Sequence, residues 1–140
     1  MLKNISPILS PELLKTLMEM GHGDELVLGD GNFPSASVAQ RLLRADGHGV
    51  PELLDAILKL FPLDQYVDCP VALMDNGDSE NRPAIWAEYK SIVEKNEGDR
   101  QIELVERFAF YERAKKAYAV VATGETAIYA NVILKKGVVI

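Results

Sequence analysis

Two histidines, one cysteine and 21 Asp and Glu residues make up the chain's main inventory for proton transfer, nucleophilic attack or metal binding. The densest polar grouping is GHGDELVLGDGNFP, residues 21–34, which sets His22 and Asp24 before a short aliphatic run and Asp30 and Asn32 after it. An imidazole with an ordinary pKa of about 6.5 gives and takes protons near neutrality, while a carboxylate or an amide can hold a polar ligand. His22 stands between two glycines that allow close backbone approach. Asp30 and Asn32 lie past the carboxyl end of the run, where α/β sheets commonly hold ligands. Spacing alone leaves a second reading open, with Asp30 as a capping residue and His22 as a turn residue. His48, in a second Gly-His-Gly at 47–49, reads as a turn residue ahead of a helix. The first tripeptide follows a helix and the second precedes one, so the pair is no internal repeat.

Other chemistries lack their patterns. No HExxH or paired-ligand spacing occurs, so a metal site would have to be built mostly from carboxylates, and no metal or cofactor is expected. Residues 29–37, GDGNFPSAS, have the glycines and serines of a phosphate cradle without the Gly-Lys-Ser/Thr that completes one. A Rossmann fingerprint and a Gly-x-Ser-x-Gly elbow are both absent. With 15 basic against 21 acidic residues the net charge is −6, the wrong sign for neutralising phosphates, so nucleic acid is not an expected partner. The basic runs at 112–117 and 134–136 read as solvated element ends.

The elements that must position these residues follow from patterning. Ser10-Pro11-Glu12 supplies an N-cap, a proline at the first helical position and an acid at the positive end of the dipole, predicting a helix over 11–20. Further helices are expected over 51–61, 83–95 and 108–116, and strands over 25–28, 41–45, 69–74, 102–105, 118–122 and 131–135. Residues 75–82 and 96–101 read as polar surface connectors. Strands alternating with helices of about ten residues argue for an α/β layered sheet flanked by helices, and 140 residues without a composition break argue for one domain over 1–140. No apolar run approaches the roughly 18 residues of a membrane span, and the N-terminus lacks a signal-peptide pattern. A cytoplasmic location is therefore expected, in agreement with the single Cys69, which reads as a packing residue.

Several blocks together resemble the sugar mutarotase family that includes the L-fucose mutarotases and the D-ribose pyranases. They are LKNISPILSPELLKTLMEMGHGDELVLGD, LLRADG, LLDAILKLFPLD, ERFAFYERAKKAYAVVATGE and YANVILKKGV, covering most of the chain outside about 75–101. The ERFAFYERAKKA and TGE segments are similar to the fucose branch, since ribose pyranases tend to carry histidine where this chain has Arg107. One departure is Asn32, which stands in Gly-Asp-Gly-Asn-Phe-Pro where fucose mutarotases carry histidine in Ser-Asp-Ala-His-Phe-Pro.

The resemblance implies an isomerase that interconverts the α and β anomers of L-fucose without a cofactor. His22 would move protons, and Asp30, Arg107, Tyr129 and Asn131 would bind the sugar. It also implies a ring-based homodecamer with pockets lined by adjacent subunits. Such a reaction opens the pyranose to an aldehyde and recloses it, which asks for proton transfer and precise holding of the sugar. On sequence alone Arg107 equally suits a surface ion pair with Glu103 or Glu106, and Tyr129 and Asn131 suit an ordinary strand start. Tyr111 and Glu112 read as helix-surface residues and Trp86 as core. A D-ribose pyranase and a non-catalytic sugar-binding protein on the same scaffold are the competing functions.

Overall fold

Alternation of side chains along the strands decides the architecture. In the computed structural model, which describes all 140 residues, strand β1 (Glu25–Gly29) directs Leu26 and Leu28 to one face of a sheet and Val27 to the other, all fully buried. A strand buried on both faces needs cover on both, which is the α/β solution. Five more strands complete the sheet: β2 (Leu42–Ala45), β3 (Val71–Met74), β4 (Ile102–Val105), β5 (Ala119–Thr123) and β6 (Val132–Lys135), in the order β2-β5-β1-β6-β3-β4.

One face carries the larger core. Leu26, Leu28, Val71, Leu73, Ala119, Val121, Val132 and Leu134 pack there with residues of helices α1 (Pro11–Glu19), α3 (Val50–Leu58) and α4 (Ile85–Glu97). The opposite face uses the alternate positions Val27, Ala72, Met74, Val120 and Ile133, with Phe33, and packs against Phe110, Ala114 and Ala117 at helix α5 (Arg107–Lys116). Small residues on both sides of that contact let the helix approach the sheet closely.

Helix α5 is fixed by charge as well. Arg113 lies between Glu25 of β1 and Glu103 of β4, at 2.6 Å from each, with the arginine and Glu25 largely buried. Glu106 caps the helix by accepting the Phe108 and Ala109 N–H groups, which hold its carboxyl below the usual range.

The expected elements form with shifts of a few residues at their ends. Helix α5 begins at Arg107 because Glu106 caps it, and Ser10 Oγ caps α1 by accepting the Leu13 N–H at 3.1 Å. A four-residue helix, α2 (Ser35–Val38), falls where the sequence shows only loop, since one helical turn has no periodicity to read. Cys69 precedes β3 and is partly exposed, its Sγ 3.8 Å from Gln101 Oε1, rather than packed in the strand.

The direction of β6 has the largest consequence for function. β1, β2 and β5 run parallel, as do β3 and β4, while β6 lies antiparallel between β1 and β3. Its register pairs Val132 with Leu28 and with Leu73. The entry of β6 thus meets the carboxyl ends of its two neighbours, and residues 129–131 arrive beside Asp30 and Met74.

Candidate active site

At that carboxyl edge a cavity of about 250 Å³ is lined by Asp30, Asn32, Phe33, Met74, Arg107, Tyr111, Ile128, Tyr129 and Asn131. This is the scale of one small polar molecule, at the low end of ligand pockets, which run from roughly 300 Å³ upward. Four residues expected to bind sugar, Asp30, Arg107, Tyr129 and Asn131, come from three separate parts of the chain and meet here.

Asp30 and Asn131 form the buried floor. The Asp30 N–H donates to Asn131 Oδ1 at 2.8 Å. The Asp30 carboxylate in turn accepts the Asn32 N–H at 3.0 Å on Oδ1 and the Ala130 N–H at 3.2 Å on Oδ2. Both oxygens are thereby oriented while retaining lone pairs for a ligand hydroxyl. Gly31 passes so close to residue 125 that a Cβ there would lie 2.9 Å from the Glu125 carbonyl oxygen, so this turn admits only glycine without rearrangement.

The wall contributed by residues 129–131 is held from behind. Tyr129 has φ +51°, a left-handed conformation that costs a non-glycine residue roughly 1–3 kcal/mol. Trp86 Nε1 donates to the Tyr129 carbonyl at 2.7 Å, and the buried Tyr89 hydroxyl donates to the Ala130 carbonyl at 2.9 Å. Burial, foremost, pushes the Tyr89 phenol far above its ordinary pKa, so it remains a donor. Trp86 is thus a support for the site, a role invisible in a lone tryptophan on an amphipathic helix.

Arg107 stands at the cavity mouth. Its Nε donates to the Tyr111 hydroxyl at 3.1 Å, one helical turn on, and its guanidinium lies over the Phe108 and Tyr111 rings. The ion pair with Glu103 or Glu106 does not form, because Arg113 occupies Glu103 and α5 occupies Glu106. A guanidinium free of carboxylates keeps its remaining donors for an oxygen-rich ligand. Tyr111, set aside as helix surface on sequence grounds, lines the cavity; its i,i+4 spacing from Arg107 was the available signal. Asn32 lines the cavity too. Phe33, Met74 and Ile128 supply apolar walls that the sequence did not mark.

His22 is not brought to this cavity within one chain. It precedes β1 whereas Asp30 follows it, and the five-residue strand between them spans about 17 Å. At the amino edge, His22 Nε2 lies 3.0 Å from Asp64 Oδ1 and the imidazole is about half exposed. His48 instead pairs with Glu52 at the start of α3. No group of three His, Cys, Asp or Glu residues could hold a metal ion, and no helix is long and apolar enough to cross a membrane.

Residues 3–139 match the RbsD / FucU transport protein family. The chain belongs to this family. Within it, the chain is 54% identical to a human fucose mutarotase, over 98% of this chain and 94% of the relative. The structure superposes with a TM-score of 0.95 on the fucose mutarotase of Streptococcus pneumoniae in complex with L-fucose, at 56% identity over 99% of this chain and all of that one. Bacillus subtilis RbsD complexed with D-ribose shares the RbsD/FucU fold at a TM-score of 0.74 and 24% identity, covering both chains fully.

Proposed function

We propose that this chain is an L-fucose mutarotase, an isomerase that interconverts the α and β anomers of the free sugar. The observation that carries the reading is the cavity at the carboxyl edge, four of whose polar groups suit a monosaccharide, in a fold superposing at 0.95 on an L-fucose complex. The ribose reading has weaker support, with 24% identity to the ribose-bound relative.

Ring opening needs a proton removed from the anomeric hydroxyl and one delivered to the ring oxygen as the bond from C1 to that oxygen breaks. The product is an open-chain aldehyde. Rotation about C1–C2 and attack of the same hydroxyl on the other carbonyl face, with the protons returned, gives the other anomer. Atoms and charge balance with no redox partner. Asp30 accepts sugar hydroxyls, Asn131 and Tyr129 complete the hydrogen-bonding wall, and Arg107 steadies the oxygen that gains charge as the ring opens. His22 moves the protons, a role worth roughly 10²–10⁴ in rate.

Because His22 lies at the other end of β1, it serves the cavity of a neighbouring subunit in this reading. Exposed apolar residues stand beside both edges and support such docking: Phe108 and Ile128 near the cavity, Tyr66 against His22. The assembly proposed is a homodecamer built on rings, and a reducing, cytoplasmic setting suits the free Cys69.

Saturation-transfer NMR between the α and β anomeric protons tests the function. Exchange faster than the uncatalysed rate is expected for L-fucose and much less acceleration for D-ribose. Saturable binding of L-fucose without faster exchange would instead identify a sugar-binding protein, and faster ribose pyranose–furanose exchange alone would identify a pyranase.

A further inference from the structure

The proton-transferring imidazole has a buried partner. Asp64 lies in the segment between α3 and β3, and its side chain is only 5% exposed, yet it faces the half-exposed His22 at 3.0 Å. We propose that Asp64 is a positioning residue for His22: its carboxylate accepts from Nε2, fixes the plane of the ring, stabilises the imidazolium formed during turnover, and leaves Nδ1 as the nitrogen that serves the sugar. This inference rests on the assignment of His22 as proton carrier.

The carboxylate itself is held in place. Asp64 Oδ1 also accepts the Tyr66 N–H at 3.0 Å, the Asp64 N–H donates to the Lys135 carbonyl at 3.0 Å, and Arg100 donates to the Asp64 carbonyl. The Tyr66 ring lies 5.6 Å from the imidazole, tilted 58° to it. The backbone under His22 is equally tied, since the Gly21 N–H donates to Asp24 Oδ2 at 2.7 Å and the Gly23 N–H to the Lys136 carbonyl at 2.8 Å. A buried carboxylate is costly to desolvate and remains charged only with partners. Burial opposes ionisation most strongly here, but the Tyr66 amide, His22 and Lys135 together hold the carboxyl below its usual pKa. An ionised, oriented carboxylate behind an imidazole fixes its tautomer, keeping the proton on the nitrogen that faces the carboxylate, here Nε2.

The charged groups around the pair predict a sign in both directions. Asp64 is the anion in contact with His22, with Asp24 on the same turn. Lys135 and Lys136 at the end of β6, and Arg100 ahead of β4, supply the opposing positive charge. Removing the Asp64 charge disfavours the imidazolium, so the acid limb of the pH–rate profile moves to lower pH. Removing Lys135 moves that limb to higher pH.

The experiment measures α/β exchange of L-fucose by saturation transfer from pH 5 to 9 on the assembled wild-type protein and on Asp64→Asn, Lys135→Met and His22→Ala, with assembly checked by light scattering. Asp64→Asn keeps an oxygen for Nε2 and for the Tyr66 amide, so the geometry is preserved while the charge is lost. The expected result is a limb shifted down by about one pH unit and a maximal rate reduced about tenfold or more, with the KM for fucose changed little. Lys135→Met keeps the inference testable if Asp64→Asn fails to assemble, through a shift of opposite sign. An unmoved limb and rate in an assembled Asp64→Asn, with His22→Ala inactive, overturns the role of Asp64 and leaves His22 standing. An unmoved or lowered limb in Lys135→Met overturns it likewise. Full activity in His22→Ala overturns the assignment of His22 itself.

Discussion

Asp30→Asn separates the two uses of the Asp30 carboxylate. The wild-type residue is 5% exposed, and its carboxylate accepts the Asn32 N–H on one oxygen and the Ala130 N–H on the other. An asparagine has a single acceptor oxygen, so its NH₂ must face one of two backbone N–H groups. One buried donor loses its acceptor and meets another donor, which costs about 1–3 kcal/mol. At about 2 kcal/mol, a chain of this size loses roughly 6–8 °C in thermal midpoint, with protein concentration held constant to fix the assembly term. Ala130 sits between Tyr129 and Asn131, so loosening its amide displaces both walls, and misplacement of about 1 Å can cost up to 10² in rate. The expected outcome is a lower midpoint by scanning calorimetry, with anomer exchange reduced at least tenfold and fucose affinity weakened. An Asp30→Asn protein with unchanged midpoint and unchanged exchange would refute the role of the two hydrogen bonds that the carboxylate accepts from the Asn32 and Ala130 amides.

His22→Ala should lower exchange by roughly 10²–10⁴ while saturable fucose binding persists, and His48→Ala, whose imidazole pairs with Glu52, should change neither. Trp86→Phe removes the donor to the Tyr129 carbonyl and should raise KM severalfold with secondary structure intact by circular dichroism. Exchange should survive EDTA treatment in full; a rate restored only by added metal would sink the cofactor-free mechanism. Light scattering should return a multiple of the 15.5 kDa chain, ten for the proposed rings, and a fully active monomer would disprove the shared pocket. Asp55 is held down to about pKa 2, against an opposing burial effect, by Asn96 first and then Lys95 and Lys59. A depressed folded-state pKa contributes stability above the unfolded value near 3.9 that is lost as pH falls through about 2. Between pH 4 and 2, wild type should therefore lose about 1 kcal/mol more than Asp55→Asn in urea titrations, after allowing for solvent screening.

The sequence made the element types legible because their periods are clean. Leu26 and Leu28 against Val27 alternate as a strand must, and Ser10-Pro11-Glu12 is a local start signal that needs no tertiary knowledge. Asp30 stood out by its place after a short strand, whereas Arg107, Tyr129 and Asn131 were marked by the family resemblance alone; all four line the cavity. Their apposition was not readable from local pattern, since it depends on β6 entering the sheet antiparallel between β1 and β3. Nor was the partner choice of Arg107, because Arg113 takes Glu103 once α5 is packed on the sheet and Glu106 is taken up in capping α5. Trp86 and Tyr111 read as helix core and helix surface for a related reason: each looks like ordinary helix packing until the neighbouring strand entry is in view.

With His22 as the proposed proton carrier, the sheet also places the groups of the proposed reaction at two opposite edges of one chain. An antiparallel strand delivers its entry to the carboxyl edge and its exit to the amino edge of the same neighbours. Tyr129 and Asn131 therefore join Asp30, while Lys135 ends up among the charges around Asp64 and His22. β1 connects the two ends rigidly, with His22 before it and Asp30 after it, and no side chain spans the roughly 17 Å between them. A hinge cannot close that gap without unpairing a strand bonded on both sides to β5 and β6. Apposition of the amino edge of one subunit with the carboxyl edge of another closes it without deforming either. In this reading assembly is part of the catalytic geometry, and the dependence of specific activity on protein concentration at high dilution measures it directly: the per-chain rate should fall as subunits separate.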